Sequence, residues 1–236
     1  MKKIIAVLVL FSLVSCAELQ GVIDGLPGES GLPGIDNQMI GNGLKQALDF
    51  GIDKQVTKLT STDGFYKNEL VKILLPEELQ KVDNTLRAIG LGKLADEGIK
   101  ALNRAAEDAV SEATPIFVDA VKQITFNDVR TILLGTDDAA TQYLEGKTNA
   151  ALYNKFNPMI KNSFAKVGAD QIWTNLITKY NDLPLTNNVN PDLTDYVTQQ
   201  ALQGVYTMIA VEEKEIRTKT QSRTTDLLKR VFALQD

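Results

Sequence analysis

Residues Gly92 to Ala113 read "GKLADEGIKALNRAAEDAVSEA", and this stretch decides the fold. Its apolar seam alternates spacings of four and three residues, at Ala95, Ile99, Leu102, Ala106, Ala109 and Ala113. That spacing is typical of one face of an α-helix. Because most side chains on the seam are small, we expect a second helix to pack closely against it. The sequence thus predicts a helical core.

The same helical period continues on both sides of this stretch. Further helices are predicted from Gly43 to Leu59, from Pro76 to Gly90 and from Pro115 to Ile124. Two more begin after Thr125, with Asp128 completing its cap, and after Gly135. The remaining helices run from Asn149 to Val167 with a kink or break near Asn157, from Ala169 to Tyr180, from Asn190 to about Lys219 as the longest helix, and from Ser222 to Phe232. Only the run from Val71 to Pro76 is a candidate for extended structure. We therefore expect one all-α, bundle-like domain of about nine or ten helices over residues 42–236.

The first residues, "MKKIIAVLVLFSLVSCAELQ", have the pattern of an export signal. Two lysines precede an uncharged apolar run that is shorter than the ~20 residues of a membrane-spanning helix. The end of the run, Leu13 to Cys16, resembles a bacterial lipobox, and Cys16 is the only cysteine. We predict a lipoprotein signal peptide over residues 1–15 and acylation of Cys16. Several acyl groups on that residue would give a stable membrane anchor.

Residues 16–41 are predicted to be a flexible tether between the anchor and the domain. "GLPGESGLPGID", from Gly25 to Asp36, places glycine at every third position, as a collagen triple helix requires. Four triplets are too few for a stable triple helix, because Val22 and Asn37 break the period. Ala17, rather than aspartate, follows Cys16, which favours the outer membrane over retention in the inner membrane.

Composition excludes several functions. The chain has no histidine, so it cannot form a Ser-His-Asp relay or the usual zinc and di-iron sites. Its formal net charge is −5, and removal of Lys2 and Lys3 with the signal peptide makes it more negative. An acidic chain has no electrostatic reason to bind nucleic acid or anionic lipid head groups. We expect no cofactor and no metal.

Glu212 is the sharpest candidate for a special role. It continues the apolar stripe that Val205, Met208 and Ile209 trace on the last long helix. A carboxylate in such a place must be paired or protonated. The simplest partner is Arg104, and Arg130, Arg217 and Arg223 are alternatives.

The remaining candidates are polar residues close to the tight seam, namely Asn103, Arg104 and Glu107. With Glu212 and Arg217 they form either a structural network that fixes helix register or a pocket. In a pocket, Glu107 and Glu212 would share acid and base roles, as in glycoside cleavage.

Two other features have simpler interpretations. Asp137 and Asp138 are expected in the first turn of a helix, where the helix dipole favours acids. Trp173 and Tyr180 are expected in the core rather than on a sugar-binding platform.

Several segments together resemble one protein family. They are "DGFYKN" (63–68), "ILLPEEL" (73–79), "LNRAAEDA" (102–109), "TPIF" (114–117), "DDAATQYL" (137–144), "FNP" (156–158), "VGADQIW" (167–173) and "VEEKEIR" (211–217). In these the chain is similar to domain of unknown function 4197, a family of exported bacterial proteins that mostly carry a lipobox. The resemblance implies an all-helical exported domain and supplies no activity.

From these features we expect a periplasmic lipoprotein of the bacterial cell envelope, anchored by lipid to the outer membrane. It would be a helical binding or structural module whose partner is an envelope protein, lipid or glycan, and not nucleic acid. The alternative is a histidine-free hydrolase that uses carboxylates to cleave envelope glycan.

Overall fold

The computed structural model describes residues 35–123, 125, 129–184 and 192–236, without the side chains of residues 78 and 112–114. Within these ranges the chain forms α-helices and two short 3₁₀ turns, and it has no β-strand. The helices are α1 (Asn37–Thr60), α2 (Glu77–Ala88), α3 (Gly92–Gln123), α4 (Val129–Leu133), α5 (Ala139–Val167), α6 (Ala169–Asn181), α7 (Thr194–Thr218) and α8 (Asp226–Phe232). The all-α prediction is confirmed.

Helix α3 lies at the centre of the core. It packs against α1, α5, α6 and α7, and α7 also packs against α1 and α5. Three small residues of its seam are buried, namely Ala95, Ala106 and Ala109. Helix α6 approaches α3 closely at Gly98, because the Trp173 indole packs on this glycine and donates a hydrogen bond of 3.0 Å to its carbonyl. Trp173 and Tyr180 are both buried, as predicted for core residues.

Two helices continue through prolines, so the helix start predicted at Pro115 is wrong, and so is a break of the helix near Asn157. Pro115 lies inside α3, and Pro158 lies inside α5. An interior proline removes one hydrogen bond and costs ~3 kcal/mol or more. Here the helix is anchored close to each proline by fully buried aromatic side chains, Phe117 on α3 and Phe156 on α5. Their rings meet edge to face with centroids 5.8 Å apart, so core packing offsets the local penalty.

Other helix ends also differ from the expected ones. Helix α1 begins at Asn37 instead of Gly43, because Asp36 caps it by accepting a hydrogen bond of 2.7 Å from the Met39 amide. Asn37 lies within the stretch assigned to the tether. Helix α7 has 25 residues and α3 has 32, so α7 is not the longest helix. Three predictions concern residues outside the described ranges. They are the start of α7 at Asn190, the part of Asp128 in the cap at Thr125, and nearly all of the glycine repeat.

The segment between α1 and α2 has no regular secondary structure over residues 72–76, and its last residue, Pro76, has an extended backbone. Its side chains alternate: Val71, Ile73 and Leu75 are buried, whereas Leu70 and Leu74 are exposed. This alternation arises because successive side chains of an extended chain point to opposite sides. The segment therefore covers the core with one face only.

Residues Asp36–Asp236 form a compact unit with its own core, since buried apolar side chains extend from Ile40 to Phe232. This part of the chain therefore has the core that it needs to fold without residues 1–35. Over the described ranges, no helix combines the length and the apolar character that crossing a membrane demands.

Candidate functional site

The five predicted site residues do not form one site. Four of them divide among three groups, which we name after a central residue: the Glu212 cluster (Lys54, Gln55 and Glu212), the Arg104 cluster (Asp63, Arg104 and Glu107) and the Glu213 cluster (Glu213, Arg217 and Arg223). Asn103 lies beside the Arg104 cluster and has a separate role. The predicted pair of Glu212 with Arg104 is wrong.

The Glu212 cluster joins α7 to α1. Glu212 is buried, as its place on the apolar stripe predicts. Its carboxylate accepts a hydrogen bond of 2.9 Å from the Gln55 amide and lies 2.7 Å from the Lys54 ammonium. The Lys54 side chain is 58% exposed, so water and salt reach its charge. This carboxylate is therefore paired at the edge of the core, by a lysine that sequence analysis did not single out.

The Arg104 cluster fixes the turn that follows α1. Arg104 donates to Asp63 at 2.5 Å and to Glu107 at 2.7 Å, so its guanidinium is not available to Glu212. Glu107 also accepts a hydrogen bond of 3.2 Å from the Phe65 amide. A hydrogen bond from Lys67 is the main cause that lowers the pKa of the Asp63 carboxyl; the nearby charges of Arg104 and Lys67 add to it, against desolvation. The cluster holds Asp63 at a φ of 65°, in the left-handed region that favours glycine.

Asn103 has its amide bound to the segment between α1 and α2. Its carbonyl oxygen accepts from the Ile73 amide at 2.8 Å, and its NH₂ group donates to the Ile73 carbonyl at 2.8 Å. The NH₂ group also donates to the Ile99 carbonyl. The fully buried Asn103 side chain thus makes the two backbone hydrogen bonds to Ile73 that a neighbouring strand would otherwise make. This role is structural and is not connected to Glu212.

The Glu213 cluster is the most deeply buried of the three clusters, and sequence analysis did not single out its central residue. The Glu213 side chain has no exposed surface, and Arg217 is 2% exposed. The carboxylate accepts hydrogen bonds from the Ala140 amide at 2.9 Å and from the Thr141 amide and hydroxyl at 2.7 Å. Arg217 donates to it at 2.8 Å.

These contacts make Glu213 a cap that α7 supplies to the start of α5. The first amides of a helix have no partner within it, and its positive end favours a carboxylate. We predicted that Asp137 and Asp138 would occupy the first turn of this helix. Both residues instead precede it, and the side chain of Asp138 makes no capping hydrogen bond. Hydrogen bonds from Gln142 and Thr136 lower the pKa of the Asp138 carboxyl.

A signal for Glu213 was present in the sequence. Glu213 lies four residues after Ile209 and three before Ile216, so it falls on the apolar stripe as Glu212 does. Arg217 is four residues further on, the spacing that suits an ion pair on a helix. Because only Glu212 was assigned to the stripe, the pair of Glu213 with Arg217 was not predicted.

Arg223 extends the Glu213 cluster toward the end of the chain. Its guanidinium donates to the carbonyls of Ile216 and Arg217 at 3.0 and 2.9 Å, and it holds the Asp236 carboxylate through two hydrogen bonds of 2.6 and 2.7 Å. Arg217 in turn donates to the carbonyl of Leu133, the last residue of α4. These arginines therefore donate to backbone carbonyls inside the core, and the Leu133 carbonyl also accepts a hydrogen bond of 2.6 Å from Gln235. Arg130 is exposed.

Two grooves flank α5. The α3–α5 groove has a volume of about 530 Å³ and is lined by Pro115, Ile116, Asp119, Ala120, Gln123, Thr125, Tyr143, Lys147, Thr148, Ala151, Leu152 and Lys155. The α5–α7 groove has a volume of about 730 Å³ and is lined by Thr136, Asp137, Asp138, Thr141, Gln142, Glu145, Gln203, Tyr206, Thr207, Ala210, Val211 and Lys214. Neither lining includes any of the predicted site residues.

The wall between the two grooves is closed by Tyr206. Its hydroxyl lies 2.9 Å from the Thr148 hydroxyl, and both groups are buried. Burial raises the pKa of the Tyr206 phenol to about 12, with a contribution from the charge of Glu145. The phenol is therefore protonated at neutral pH. Among the residues that the structure describes, no group of histidine, cysteine or acidic side chains is placed to hold a metal ion.

Comparison with known proteins identifies the family. The sequence model of the family described as "Protein of unknown function (DUF4197)" matches residues 34–233. The match covers most of the chain, so the protein belongs to the DUF4197 family, as the sequence segments indicated. No curated protein matches the chain. No solved structure matches it either.

Proposed function

We propose that this DUF4197 member is a lipid-anchored binding or structural module of the bacterial cell envelope. Acyl groups on Cys16 hold it to the outer membrane, and the helical domain faces the periplasm. The support for the anchor is the lipobox from Leu13 to Cys16 and the absence of any other cysteine from the sequence.

The pairing of the candidate carboxylates is the observation that favours a binding or structural module over an enzyme. Glu107 is held by Arg104, Glu212 by Lys54, and Glu213 by Arg217. A glycoside hydrolase instead needs two carboxyl groups that face one scissile bond across a pocket. Glu107 and Glu212 lie in separate hydrogen-bond networks, and each stabilises a helix or turn. This arrangement supports a scaffold that presents surfaces and grooves.

The anchor is tested by changing Cys16→Ser and partitioning cell envelopes with detergent. The variant cannot be acylated, so we expect it to leave the membrane fraction that holds the parent protein. A matched control is Ser15→Ala, which keeps a small residue before the cysteine and should stay in the membrane fraction. Membrane retention of the Cys16→Ser variant would contradict the lipid anchor.

The module is tested separately by incubating the purified chain with isolated cell-wall glycan. We expect no release of soluble glycan fragments, and we expect the protein in intact envelopes to cross-link to a distinct envelope component. Fragment release that disappears in the double variant Glu107→Gln and Glu212→Gln would support the hydrolase instead.

A further inference from the structure

We propose that the α3–α5 groove binds a long-chain fatty acid, with the acyl chain on the groove floor and the carboxylate at the lysines of its rim. The proposal rests on the proposed function as a binding module and names the ligand class that the module takes. It depends on three observations: an apolar floor, a cationic rim and the dimensions of the groove.

The floor of the groove is apolar. Leu152 is 1% exposed at its base, and Ile116 and Ala120 are half-buried along the α3 wall. Thr148 is the buried polar residue of the lining, and its hydroxyl donates to the Leu144 carbonyl at 2.6 Å and contacts Tyr206. Since that hydroxyl already has hydrogen-bond partners, the floor does not require a polar group on the ligand. Aliphatic carbon is the chemistry that such a surface favours, at about 0.8 kcal/mol per buried CH₂ group.

The rim of the groove carries two lysines. Lys147 and Lys155 are exposed on α5, eight residues and therefore ~12 Å apart. Neither forms a salt bridge with a described residue, whereas many other lysines of the domain do. The Lys147 ammonium lies 5.5 Å from the centre of the Tyr143 ring, which holds it over the groove. Asp119 is the acid of this lining, and it is paired with Lys122 at 3.6 Å. The rim therefore has positive charge available for an anion.

The length of the groove fits one extended acyl chain. The lining of α5 extends from Tyr143 to Lys155, which is ~18 Å along a helix. That is about the length of a single extended acyl chain. The volume of about 530 Å³ lies within the ~300–1,000 Å³ of small-molecule sites. A single-chain amphiphile with a small anionic head matches the length and the charge of the groove.

The α5–α7 groove shares helix α5 with the α3–α5 groove but is lined by acidic side chains. Its lining carries Asp137, Asp138 and Glu145, with Lys214 3.4 Å from Asp137. A fatty acid carboxylate would be repelled there. The two grooves share α5 and differ in rim charge, so we expect fatty acid to bind at the α3–α5 groove alone.

The test uses the chain from Asp36 to Asp236, which has its own core, and radiolabelled myristate in equilibrium dialysis below its micelle concentration. We expect saturable binding of one myristate per chain. The double variant Lys147→Glu and Lys155→Glu should weaken binding at least tenfold. The matched control, Lys93→Glu and Lys161→Glu, makes the same change of net charge at exposed positions outside the lining and should bind as the parent does.

A second variant blocks the groove without changing charge. Ala151 is exposed on the lining, so Ala151→Trp fills the groove without disturbing the core, and circular dichroism should show an unchanged fold. We expect this variant to lose myristate binding. Absence of binding to the parent, equal binding by both lysine double variants, or equally tight binding of the uncharged alcohol of the same chain length would overturn the proposal. The assay needs no anchor, so its failure leaves the Cys16 test untouched, and the reverse holds as well.

Discussion

Glu212 and Glu213 are neighbours on α7, yet they belong to two different kinds of polar cluster. Glu212 turns toward α1 and meets Lys54, an exposed lysine, and the buried amide of Gln55. Glu213 turns toward α5 and meets Arg217, a buried arginine, and the first amides of α5. Successive residues of a helix differ by ~100° in direction, so one step along the chain exchanges one helix interface for another.

The comparison teaches that burial of a carboxylate does not by itself tell how much it stabilises the fold. Both side chains are almost inaccessible. What differs is the state of the partners after the carboxylate is removed. Lys54 can turn into water, whereas Arg217 and the amides of Ala140 and Thr141 stay inside the protein. The cost of removal depends on those remaining groups.

The largest effect is expected for Glu213→Ala. It leaves a buried guanidinium without its carboxylate and removes the cap of α5, so we expect a loss of ~3–5 kcal/mol in the free energy of unfolding. Urea unfolding of residues 36–236 measures this loss. Glu213→Gln should lose less, because its amide oxygen still accepts one of the hydrogen bonds. A loss below ~1 kcal/mol for Glu213→Ala would remove the distinction between the clusters.

A smaller effect is expected for Glu212→Ala. The Lys54 ammonium is free to be hydrated, and the main cost is the buried Gln55 amide, whose NH₂ group loses its acceptor while its oxygen already has no partner in the described structure. One unsatisfied buried group costs ~1–3 kcal/mol. The same urea series should therefore rank Glu212→Ala below Glu213→Ala. An equal or larger loss at Glu212 would reverse the comparison.

A still smaller effect is expected for Lys54→Met, which keeps the aliphatic stem and removes the exposed charge. Pairs with an exposed partner contribute ~0–1 kcal/mol and are screened by salt. We expect the difference from the parent to shrink further when unfolding is measured in 1 M salt, a concentration at which the screening length is ~3 Å. Arg217→Met is the matched change in the deeper cluster, and its loss should be large and insensitive to salt.

The smallest effect is expected for Asp236→Asn. The Asp236 side chain is 54% exposed, the asparagine keeps an oxygen that accepts from Arg223, and Arg223 stays bonded to the carbonyls of Ile216 and Arg217. Hydrogen bonds from Arg223 lower the pKa of the Asp236 carboxyl, and the charge of Arg223 adds to this against desolvation. Because the folded pKa lies below the unfolded one, the contribution is present above the unfolded pKa and is lost as the pH falls through the folded pKa. Asp236→Asn should therefore lose a little stability at neutral pH and flatten the acid limb of a stability-against-pH curve. An unchanged acid limb would show that this carboxyl does not stabilise the cluster.

Much of the fold was predictable from local patterns. The seam of α3, the stripe of α7 and the end of α2 at Gly90, with its φ of 84°, all follow from residues close together in the chain. The buried position of Glu212 followed from the same period. The prolines were misjudged because a local penalty was weighed without the packing of Phe117 and Phe156, which are far apart in sequence and adjacent in the core.

The sequence by itself determined that the chain is helical and that histidine chemistry is absent. The helical fold follows from spacing between near neighbours, because the hydrogen bonds of a helix join residues four apart. The export and lipidation signal stays a prediction from the first residues of the sequence. Tertiary structure alone decided that Arg104 binds Asp63 and Glu107, that Lys54 binds Glu212 and that Glu213 caps α5. Which charged groups meet depends on the rotation and axial offset of packed helices, and those are set by how all the buried side chains fit together.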